Sequence, residues 1–247
     1  MKRILLTIAA LSTLAATANA QVLSVWKDGK NLYSANISEV DSVSFHEHEA
    51  VDLGLSVKWA SYNLGATAPE EYGNYYAWGE TEPKDTYSWS TYTYCKGDYK
   101  TLTKYCDNSS YGFTDALTTL EATDDAATQA WGGSWRMPTI DEWKELYNHT
   151  TQEWTDNYND TGVAGYILTS TVSGYGDAVL FLPAAGYRGV SYLGDAGAIG
   201  YYWSSSLYEG YPYGARGVNF HASYFDTGYY RNRSGGLSVR AVCPAAE

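Results

Sequence analysis

The most tightly specified segment of this 247-residue sequence is GGSWRMPTIDEWKELY, residues 132–147. Thr139 can cap a helix, and Glu142 three residues later completes a capping box. The apolar residues of the helix fall at i, i+3, i+6 and i+7 and share one face, which comprises Ile140, Trp143, Leu146 and Tyr147. The segment therefore predicts a helix over residues 140–148. Burial of its large apolar side chains would anchor this helix to a sheet, so we interpret the segment as scaffold rather than as a catalytic motif.

Most of the remaining sequence predicts short strands and glycine-rich turns. Apolar and polar residues alternate strictly from Val51 to Trp59, which predicts a half-buried strand. The final alternating segment, GLSVRAV, places Arg240 on the face opposite Leu237. Residues 121–131 can hold a second short helix. One or two helices combined with many short strands and long loops predict an α+β fold with unusually high loop content.

The beginning of the chain has the organisation of a secretory signal peptide. Lys2 and Arg3 precede a short apolar run and the small-residue motif ANA, so cleavage after Ala20 is expected. The apolar run is too short to span a bilayer and no second one follows, which predicts that the chain has no transmembrane segment. Residues 1–20 are therefore predicted to be a signal peptide, and the mature protein is predicted to be secreted or displayed at the cell surface.

The mature sequence is predicted to contain two regions, residues 21–50 and 51–247. In the first, Asp28 and Gly29 separate two apolar runs, as expected for a β-hairpin. The stretch HEHEA, residues 46–50, is interpreted as a solvated charged linker. The first region is thus predicted to be a short β element followed by a linker, and the second to be the main domain.

Charge and cysteine content limit the classes of partner and the covalent structure. The net charge is −12, or −14 once residues 1–20 are removed. Such an acidic surface disfavours nucleic acids and anionic membranes, so we expect no nucleic-acid partner. Export to an oxidising compartment permits a disulfide. The sequence leaves all three single pairings among Cys95, Cys106 and Cys243 open.

The sequence gives little support for an enzyme or a metalloprotein. Its four histidines show no ligand spacing and no C-x-x-C motif occurs, so no metal or cofactor is expected. The serines at 204–206 lack the glycine pattern of a nucleophile elbow. Carboxylate pairs such as Glu80 with Glu82 could serve a glycosidase, but such pairs are common in a chain with 28 acidic residues. We therefore expect a protein that is not an enzyme.

The C-terminal third of the sequence predicts a binding surface. Residues 200–233 contain eight of the 25 tyrosines, interleaved with Ser, Gly, Asn, Asp, His and Arg. Tyrosine provides a large amphipathic contact area at low entropic cost, and its ring face also suits stacking on a sugar. The predicted ligand is therefore a glycan or a protein. The candidate ligand-binding residues are Tyr208, Tyr211, Tyr213, Arg216, Asn219, His221, Tyr224, Asp226, Tyr229, Tyr230, Arg231 and Asn232.

Six motifs, in order, resemble a known domain family. They are VDLGLSVKWASYNLGA, YGNYYAWGET, WGGSWRMPTIDEWKEL, FLPAAGYR, GYYWSSS and LSVRAV, and they extend from about Val51 to Val242. Together they resemble the Fibrobacter succinogenes major paralogous domain, which is abundant in secreted proteins of gut anaerobes. SWRMPTIDEW is also similar to the RLPTEAEW segment of formylglycine-generating-type proteins. The resemblance implies a C-type-lectin-like fold for residues 51–247, with residues 140–148 as its anchor helix.

The resemblance also bears on function. In retroelement-diversified C-type-lectin-like proteins, the variable ligand-facing positions lie in the corresponding final strands. Formylglycine-generating enzymes need a reactive cysteine pair near the C-terminal core, whereas this chain has only Cys243 there. That departure removes the grounds for inferring their activity. Two alternatives to a binding module stay open, namely a structural subunit of a surface assembly and a secreted hydrolase.

Overall fold

The structure, a computed structural model, describes residues 22–27, 30–36 and 48–245. These residues belong to two units, and the second unit begins at His48. The predicted signal peptide, residues 1–20, lies outside the described residues.

The first unit contains a β-hairpin. Its two strands, β1 (Val22–Lys27) and β2 (Lys30–Asn36), pair antiparallel, with Lys27 opposite Lys30. The apolar runs on either side of Asp28 and Gly29 therefore form the predicted hairpin. The two turn residues themselves lie outside the described part of the chain.

The second unit is mostly β-sheet with few helices, in agreement with a loop-rich α+β fold. Its helices are α1 (Ala126–Trp131) and α2 (Ile140–Asn148), with short 3-10 helices at Trp89–Thr91, Ala122–Asp124 and Tyr158–Asp160. Its strands are β3 (Ala50–Val51), β4 (Val57–Ala60), β5 (Tyr75–Tyr76), β6 (Thr150–Thr155), β7 (Gly165–Ser170), β8 (Val179–Pro183), β9 (Tyr187–Gly189), β10 (Tyr192–Gly194), β11 (Gly200–Leu207), β12 (Gly214–His221), β13 (Tyr224–Asp226), β14 (Tyr230–Asn232), β15 (Leu237–Ser238) and β16 (Val242–Pro244).

A central sheet organises this unit. Its strand order is β13-β12-β11-β15-β5, and β14 also pairs with β12. Neighbouring strands run antiparallel except β11 and β15, which are parallel. A second sheet is formed by β6, β7 and β8, a third by β16, β4 and β3, and a separate hairpin by β9 and β10. Because β12, β13 and β14 lie at one side of the central sheet, most of the candidate ligand-binding residues lie there too.

Strand β11 is buried on both faces, and part of β12 is buried with it. Tyr202 lies opposite Val218, and both join the apolar core that also contains Trp143 of α2. Trp203, the next residue along β11, points to the other face and joins a second core with Ala215. The continuous apolar run at the start of β11 is the pattern expected for a strand that is covered on both sides.

Helix α2 forms as predicted. The Thr139 side chain accepts a hydrogen bond from the main-chain N–H of Glu142 at 3.2 Å, and the Glu142 carboxylate accepts one from the N–H of Thr139 at 2.7 Å. Trp143 is fully buried, with its ring 4.6 Å from that of Trp59. Its indole N–H donates to the carbonyl oxygen of Trp203 at 3.2 Å. The capping box and the buried Ile140, Trp143 and Leu146 fix α2 against β11, as predicted. Tyr147, predicted for the same apolar face, is 36% exposed instead.

The alternating segment from Val51 to Trp59 is buried as predicted but is not one strand. Its apolar residues from position 53 onward are buried, yet strand geometry is interrupted between β3 and β4. Gly54 adopts a φ of +75°, and its N–H donates to the Asp52 carboxylate at 3.1 Å. A Cβ at this position would lie 2.5 Å from the ring of Tyr175. The prediction of a continuous strand is wrong because a left-handed turn under that ring reverses the backbone.

The final alternating segment also differs from its prediction. β15 contains only Leu237 and Ser238, and Arg240, predicted on the face opposite Leu237, is fully buried. The Arg240 guanidinium donates to the side-chain oxygen of Asn63 at 2.9 Å and to the carbonyl oxygens of Ala60 at 3.0 Å and Phe181 at 2.9 Å. Its charge is thus surrounded by oxygen acceptors, which allows a cation to occupy an interior position.

At His48, the HEHEA stretch is packed against aromatic side chains and is not a solvated linker. The His48 ring stacks on that of Trp131 at 3.9 Å, and its Nδ1 lies 3.2 Å from the Tyr62 hydroxyl. Partial burial lowers the pKa of His48. His48 therefore packs within the second unit, and the interpretation of a solvated linker is wrong at this residue.

The three cysteines all carry free thiols. Cys106 is buried, and its thiol lies 3.2 Å from the carbonyl oxygen of Asn108. Burial raises the pKa of the Cys106 thiol and also that of Cys243. Of the disulfide pairings that the sequence leaves open, the structure contains none among the described residues.

Candidate ligand-binding surface

The twelve predicted ligand-binding residues are all at least partly exposed, and strand pairing divides them into three groups. The first half of β12 pairs with β14, where Arg216 lies opposite Tyr230. The second half pairs with β13, where His221 lies opposite Tyr224. Tyr230 and Arg231 are neighbours on β14, so their side chains point to opposite faces of the sheet. The predicted set is therefore not a single contiguous patch.

The first group contains a tyrosine stack, which we define as Tyr208, Tyr211 and Tyr230. The rings of Tyr208 and Tyr230 are 4.1 Å apart and inclined by 12°, and those of Tyr208 and Tyr211 are 5.8 Å apart and inclined by 20°. Tyr211 is 50% exposed and Tyr230 43% exposed. The Arg216 guanidinium lies 5.0 Å from the centre of the Tyr208 ring. This group presents stacked rings and a cation to solvent on one face of β14.

An aromatic cleft lies beside the tyrosine stack. Its lining residues are Trp89, Tyr99, Tyr111, Tyr213 and Asn232, and its volume is about 520 Å³. The Tyr213 ring lies 5.7 Å from that of Tyr99 and 5.3 Å from that of Tyr111. The cleft therefore joins two predicted residues to three that sequence reasoning missed.

Tyr213 also connects the cleft to the tyrosine stack, because its ring lies 6.1 Å from that of Tyr211. The missed residues, Trp89, Tyr99 and Tyr111, come from a segment more than 100 positions earlier in the chain. That segment shares the signal of the C-terminal third, since its aromatic residues are interleaved with Ser, Thr, Gly and Asp. Its loops at residues 71–99 are the location that the sequence favours for the site if the C-terminal tyrosines are core, but the sequence does not show that the two segments meet.

Two sets of hydrogen bonds hold the two walls of the cleft together. The fully buried Arg233 donates to the carbonyl oxygens of Tyr105 at 2.7 Å and Pro212 at 2.9 Å. Closer to the surface, the N–H of Gly210 donates to the Asp107 carboxylate at 2.6 Å. The Asn108 side-chain amide donates to the carbonyl oxygen of Gly210 at 3.2 Å. The loop before β12 is thus tied directly to the segment that supplies the missed residues.

The second group, Tyr229 and Arg231, makes its contacts within the protein. The Arg231 guanidinium lies 3.6 Å from the centre of the Tyr187 ring and donates to the Tyr229 hydroxyl at 3.0 Å. Burial raises the pKa of Tyr229. These side chains attach β14 to β9, which leaves less of their surface for a ligand than the first group has.

The third group lies where β12 and β13 pair. The rings of His221 and Tyr224 are stacked 5.5 Å apart, and Asn219 lies opposite Asp226. The Asp226 carboxylate accepts a hydrogen bond from the N–H of Gly228 at 2.7 Å, which stabilises the turn after β13. Burial, followed by a hydrogen bond to Asp226, raises the pKa of Tyr224.

Three further observations concern metal binding, membrane insertion and serine catalysis. Within residues 22–27, 30–36 and 48–245, no group of three or more His, Cys, Asp or Glu side chains is placed to hold a metal ion. No helix in the described part of the chain is long and apolar enough to cross a membrane. Ser204 and Ser205 are buried in β11, and their hydroxyls donate to the carbonyl oxygens of Arg216 at 2.8 Å and Pro138 at 3.3 Å.

Compared with known proteins, the chain matches no family model, no curated protein and no solved structure. Its function must therefore be inferred from the sequence motifs and from the geometry of the surface.

Proposed function

We propose that this protein is a secreted or cell-surface ligand-binding module that uses the tyrosine stack and the aromatic cleft to bind a glycan or a protein. The observation that carries the proposal is a contrast between two kinds of tyrosine. Buried tyrosines use their hydroxyls inside the protein: Tyr75 donates to Ala185 at 2.6 Å, and Tyr202 donates to Pro183 at 2.8 Å. Such bonds satisfy buried polar groups and belong to the scaffold.

The tyrosines of the stack and the cleft differ from these scaffold tyrosines. Their hydroxyls make no hydrogen bond to any residue that the structure describes, and their rings contact one another at the surface. Exposed aromatic clusters of this kind are typical of contact surfaces. Tyrosine rings supply much of the contact area in such surfaces, and free hydroxyls supply adaptable hydrogen bonds. The residues concerned are Tyr99, Tyr111, Tyr208, Tyr211, Tyr213 and Tyr230.

The proposal includes a fold family. A C-type-lectin-like fold and membership of the Fibrobacter succinogenes major paralogous domain family are supported by the six ordered motifs. They are also supported by an anchor helix at residues 140–148 and by exposed tyrosines on late strands. If the fold is C-type-lectin-like, the tyrosine stack beside β12 and β14 would lie in the final strands, which carry the variable positions in diversified C-type-lectin-like proteins.

We further propose that the module is not an enzyme. Of its serines at 204–206, Ser204 and Ser205 are buried and donate to main-chain carbonyls, and the Ser206 hydroxyl oxygen accepts a hydrogen bond from the N–H of Ile140 at 3.1 Å. Of the Glu80 and Glu82 pair, Glu80 forms an ion pair with Lys84 at 2.6 Å. The Glu80 carboxylate also accepts a hydrogen bond from the N–H of Thr93 at 2.8 Å, so both of its oxygens are engaged within the protein.

The test is a screen of the full chain on glycan and protein arrays, followed by titration of each hit with variants. Tyr211→Ala and Tyr230→Ala should weaken binding, whereas Tyr147→Ala, on the exposed side of α2, should leave it unchanged. Hits that bind all three variants like the wild type would place the site outside the tyrosine stack. Concentration-dependent polymers in light scattering, without array hits, would favour the structural-subunit alternative.

A further inference from the structure

We propose that the aromatic cleft binds a neutral sugar residue of a glycan. This inference rests on the proposed binding function and narrows its ligand. The cleft volume of about 520 Å³ falls within the range of pockets that hold small ligands. The lining residues carry no charged side chain, although the chain has a net charge of −12. The Lys100 ammonium lies 5.7 Å from the centre of the Tyr99 ring but does not line the cleft. A lining without charged side chains favours an uncharged ligand, because a charged one would lose hydration without gaining an ionic partner there.

The polar groups of the cleft fit a ligand that is rich in hydroxyl groups. The side chains supply three phenol hydroxyls, the indole N–H of Trp89 and the carboxamide of Asn232. None of these groups is hydrogen-bonded to another residue in the described ranges. Phenols and carboxamides both donate and accept, as sugar hydroxyls do. A purely apolar ligand would leave these groups without partners whenever it displaced their water.

The aromatic faces fit a ring-shaped ligand. The ring planes of Tyr99 and Tyr213 are inclined by 77°, those of Tyr111 and Tyr213 by 50°, and those of Trp89 and Tyr99 by 47°. The faces therefore surround a concave space instead of forming a flat row. A sugar ring presents apolar C–H faces and a rim of hydroxyls, so it can contact an aromatic face and the surrounding polar groups together.

The cleft is also pre-organised for binding. Its walls come from distant parts of the chain, but Arg233, Asp107 and Asn108 join them through the hydrogen bonds described above. A site that is already ordered loses less conformational entropy when a ligand binds. This matters for a small neutral ligand, which gains no ion pair to offset such a loss.

The alternative occupant is a proline-rich peptide, since polyproline helices also dock in aromatic-lined grooves. Isothermal titration of the full chain with four probes separates the two classes. The probes are cellohexaose, mannohexaose and xylohexaose as neutral oligosaccharides, and decaproline as the peptide. We expect at least one oligosaccharide to bind with a stoichiometry near one and decaproline not to bind. Binding of decaproline alone, or of no oligosaccharide at millimolar concentration, overturns the proposal.

Variants of the cleft residues then test whether the oligosaccharide binds in the cleft. Tyr99→Ala and Trp89→Ala should each lower the affinity for the oligosaccharide by about tenfold, because an aromatic face is lost. Tyr99→Phe should lower that affinity less. Tyr147→Ala is the matched control, because Tyr147 and Tyr99 are both 36% exposed. Melting curves confirm that each variant is folded, and the two substitutions in the cleft report independently of each other. Unchanged affinity in Tyr99→Ala and Trp89→Ala overturns the cleft assignment.

The outcomes also distinguish this inference from the proposed function. If Tyr211→Ala and Tyr230→Ala abolish binding of an array hit while Tyr99→Ala does not, the binding function stands and the cleft assignment fails. If no array or titration detects a ligand, both fail.

Discussion

The Nε of Arg233 donates a hydrogen bond to the hydroxyl of Tyr92 at 2.9 Å, and both side chains are buried. The other guanidinium nitrogens donate to the carbonyl oxygens of Tyr105, Pro212 and Lys104 at 2.7, 2.9 and 3.0 Å. No carboxylate among the described residues forms an ion pair with this guanidinium. Its charge is stabilised by oriented dipoles instead, and those dipoles belong to the two segments that form the aromatic cleft.

Replacing Arg233 should therefore destabilise the protein strongly. Arg233→Met keeps much of the side-chain volume but leaves several buried acceptors without donors, each of which costs about 1–3 kcal/mol. We expect the free energy of unfolding to fall by at least about 3 kcal/mol in urea titration. Arg216→Met, at a partly exposed arginine on β12, is the control and should change it by no more than about 0.5 kcal/mol. Equal effects of the two substitutions would contradict the role assigned to Arg233.

Truncation of the Trp143 side chain in the anchor helix should lower the free energy of unfolding by a similar amount, for a different reason. Trp143→Ala leaves a cavity between α2 and β11 and should lower the free energy of unfolding by about 3–5 kcal/mol. Tyr147→Ala, on the same helix but 36% exposed, should cost much less. Denaturant titration of both variants measures the difference. A loss below about 1 kcal/mol in Trp143→Ala would show that the helix is not an essential part of the core.

The capping box makes stability depend on pH. Burial alone would raise the pKa of Glu142, but hydrogen bonds from Arg136 and Thr139 outweigh it and hold that pKa below its ordinary value of 4.5. A carboxyl with a lowered folded pKa stabilises the protein above its unfolded pKa and loses that contribution as pH falls through the folded value. Glu142→Gln keeps a capping side chain and removes only the charge.

At pH 7 we expect Glu142→Gln to be less stable than the wild type by about 1 kcal/mol, a value reduced by solvent screening because the Arg136 side chain is 38% exposed. The difference should shrink as pH falls below about 4 and should vanish once the carboxyl is protonated. Thermal melts of both proteins across this range provide the measurement. A difference that stays constant down to the lowest pH would mean that the ion pair does not contribute.

The turn at Gly54 offers a test of close backbone packing. Gly54→Ala places a methyl group against the Tyr175 ring in a left-handed conformation, so it should cost more than the roughly 1–2 kcal/mol of backbone strain alone. Gly97→Ala is the matched control, because Gly97 has a φ of +88° and no atom lies within 4 Å of the position that its Cβ would take. The difference between the two free energies of unfolding isolates the steric contact. Equal values would mean that the Tyr175 ring moves away freely.

A substitution in the tyrosine stack should affect ligand binding more than stability, whereas a substitution in the core should affect stability first. Tyr211→Ala should leave the free energy of unfolding within about 0.5 kcal/mol of the wild type, because its side chain is half exposed. The same change should weaken binding of a cognate ligand by about 1 kcal/mol or more if it is a central contact. Paired melting and binding measurements on one sample decide the matter. A variant that unfolds, with affinity unchanged in the fraction that stays folded, would assign Tyr211 to the core.

Sequence alone determined the features that depend on neighbouring residues. Thr139 and Glu142 lie three positions apart, so the capping box and the helix that follows were predictable from spacing. The alternation from Val51 to Trp59 predicted which side chains are buried, because burial follows the apolar character of each residue. The tyrosine-rich composition of residues 200–233 likewise indicated a surface with many exposed rings.

Only the tertiary structure decided the features that depend on what approaches from a distant part of the chain. Arg233 and Arg240 are hydrophilic by residue type, yet both are buried, because main-chain oxygens from remote segments surround them. The same long-range packing brings Trp89 and Tyr99 next to Tyr213 and thereby creates the aromatic cleft. A local pattern encodes the preference of a side chain for water or for the interior. The partners that reverse that preference are brought together only when the whole chain has folded.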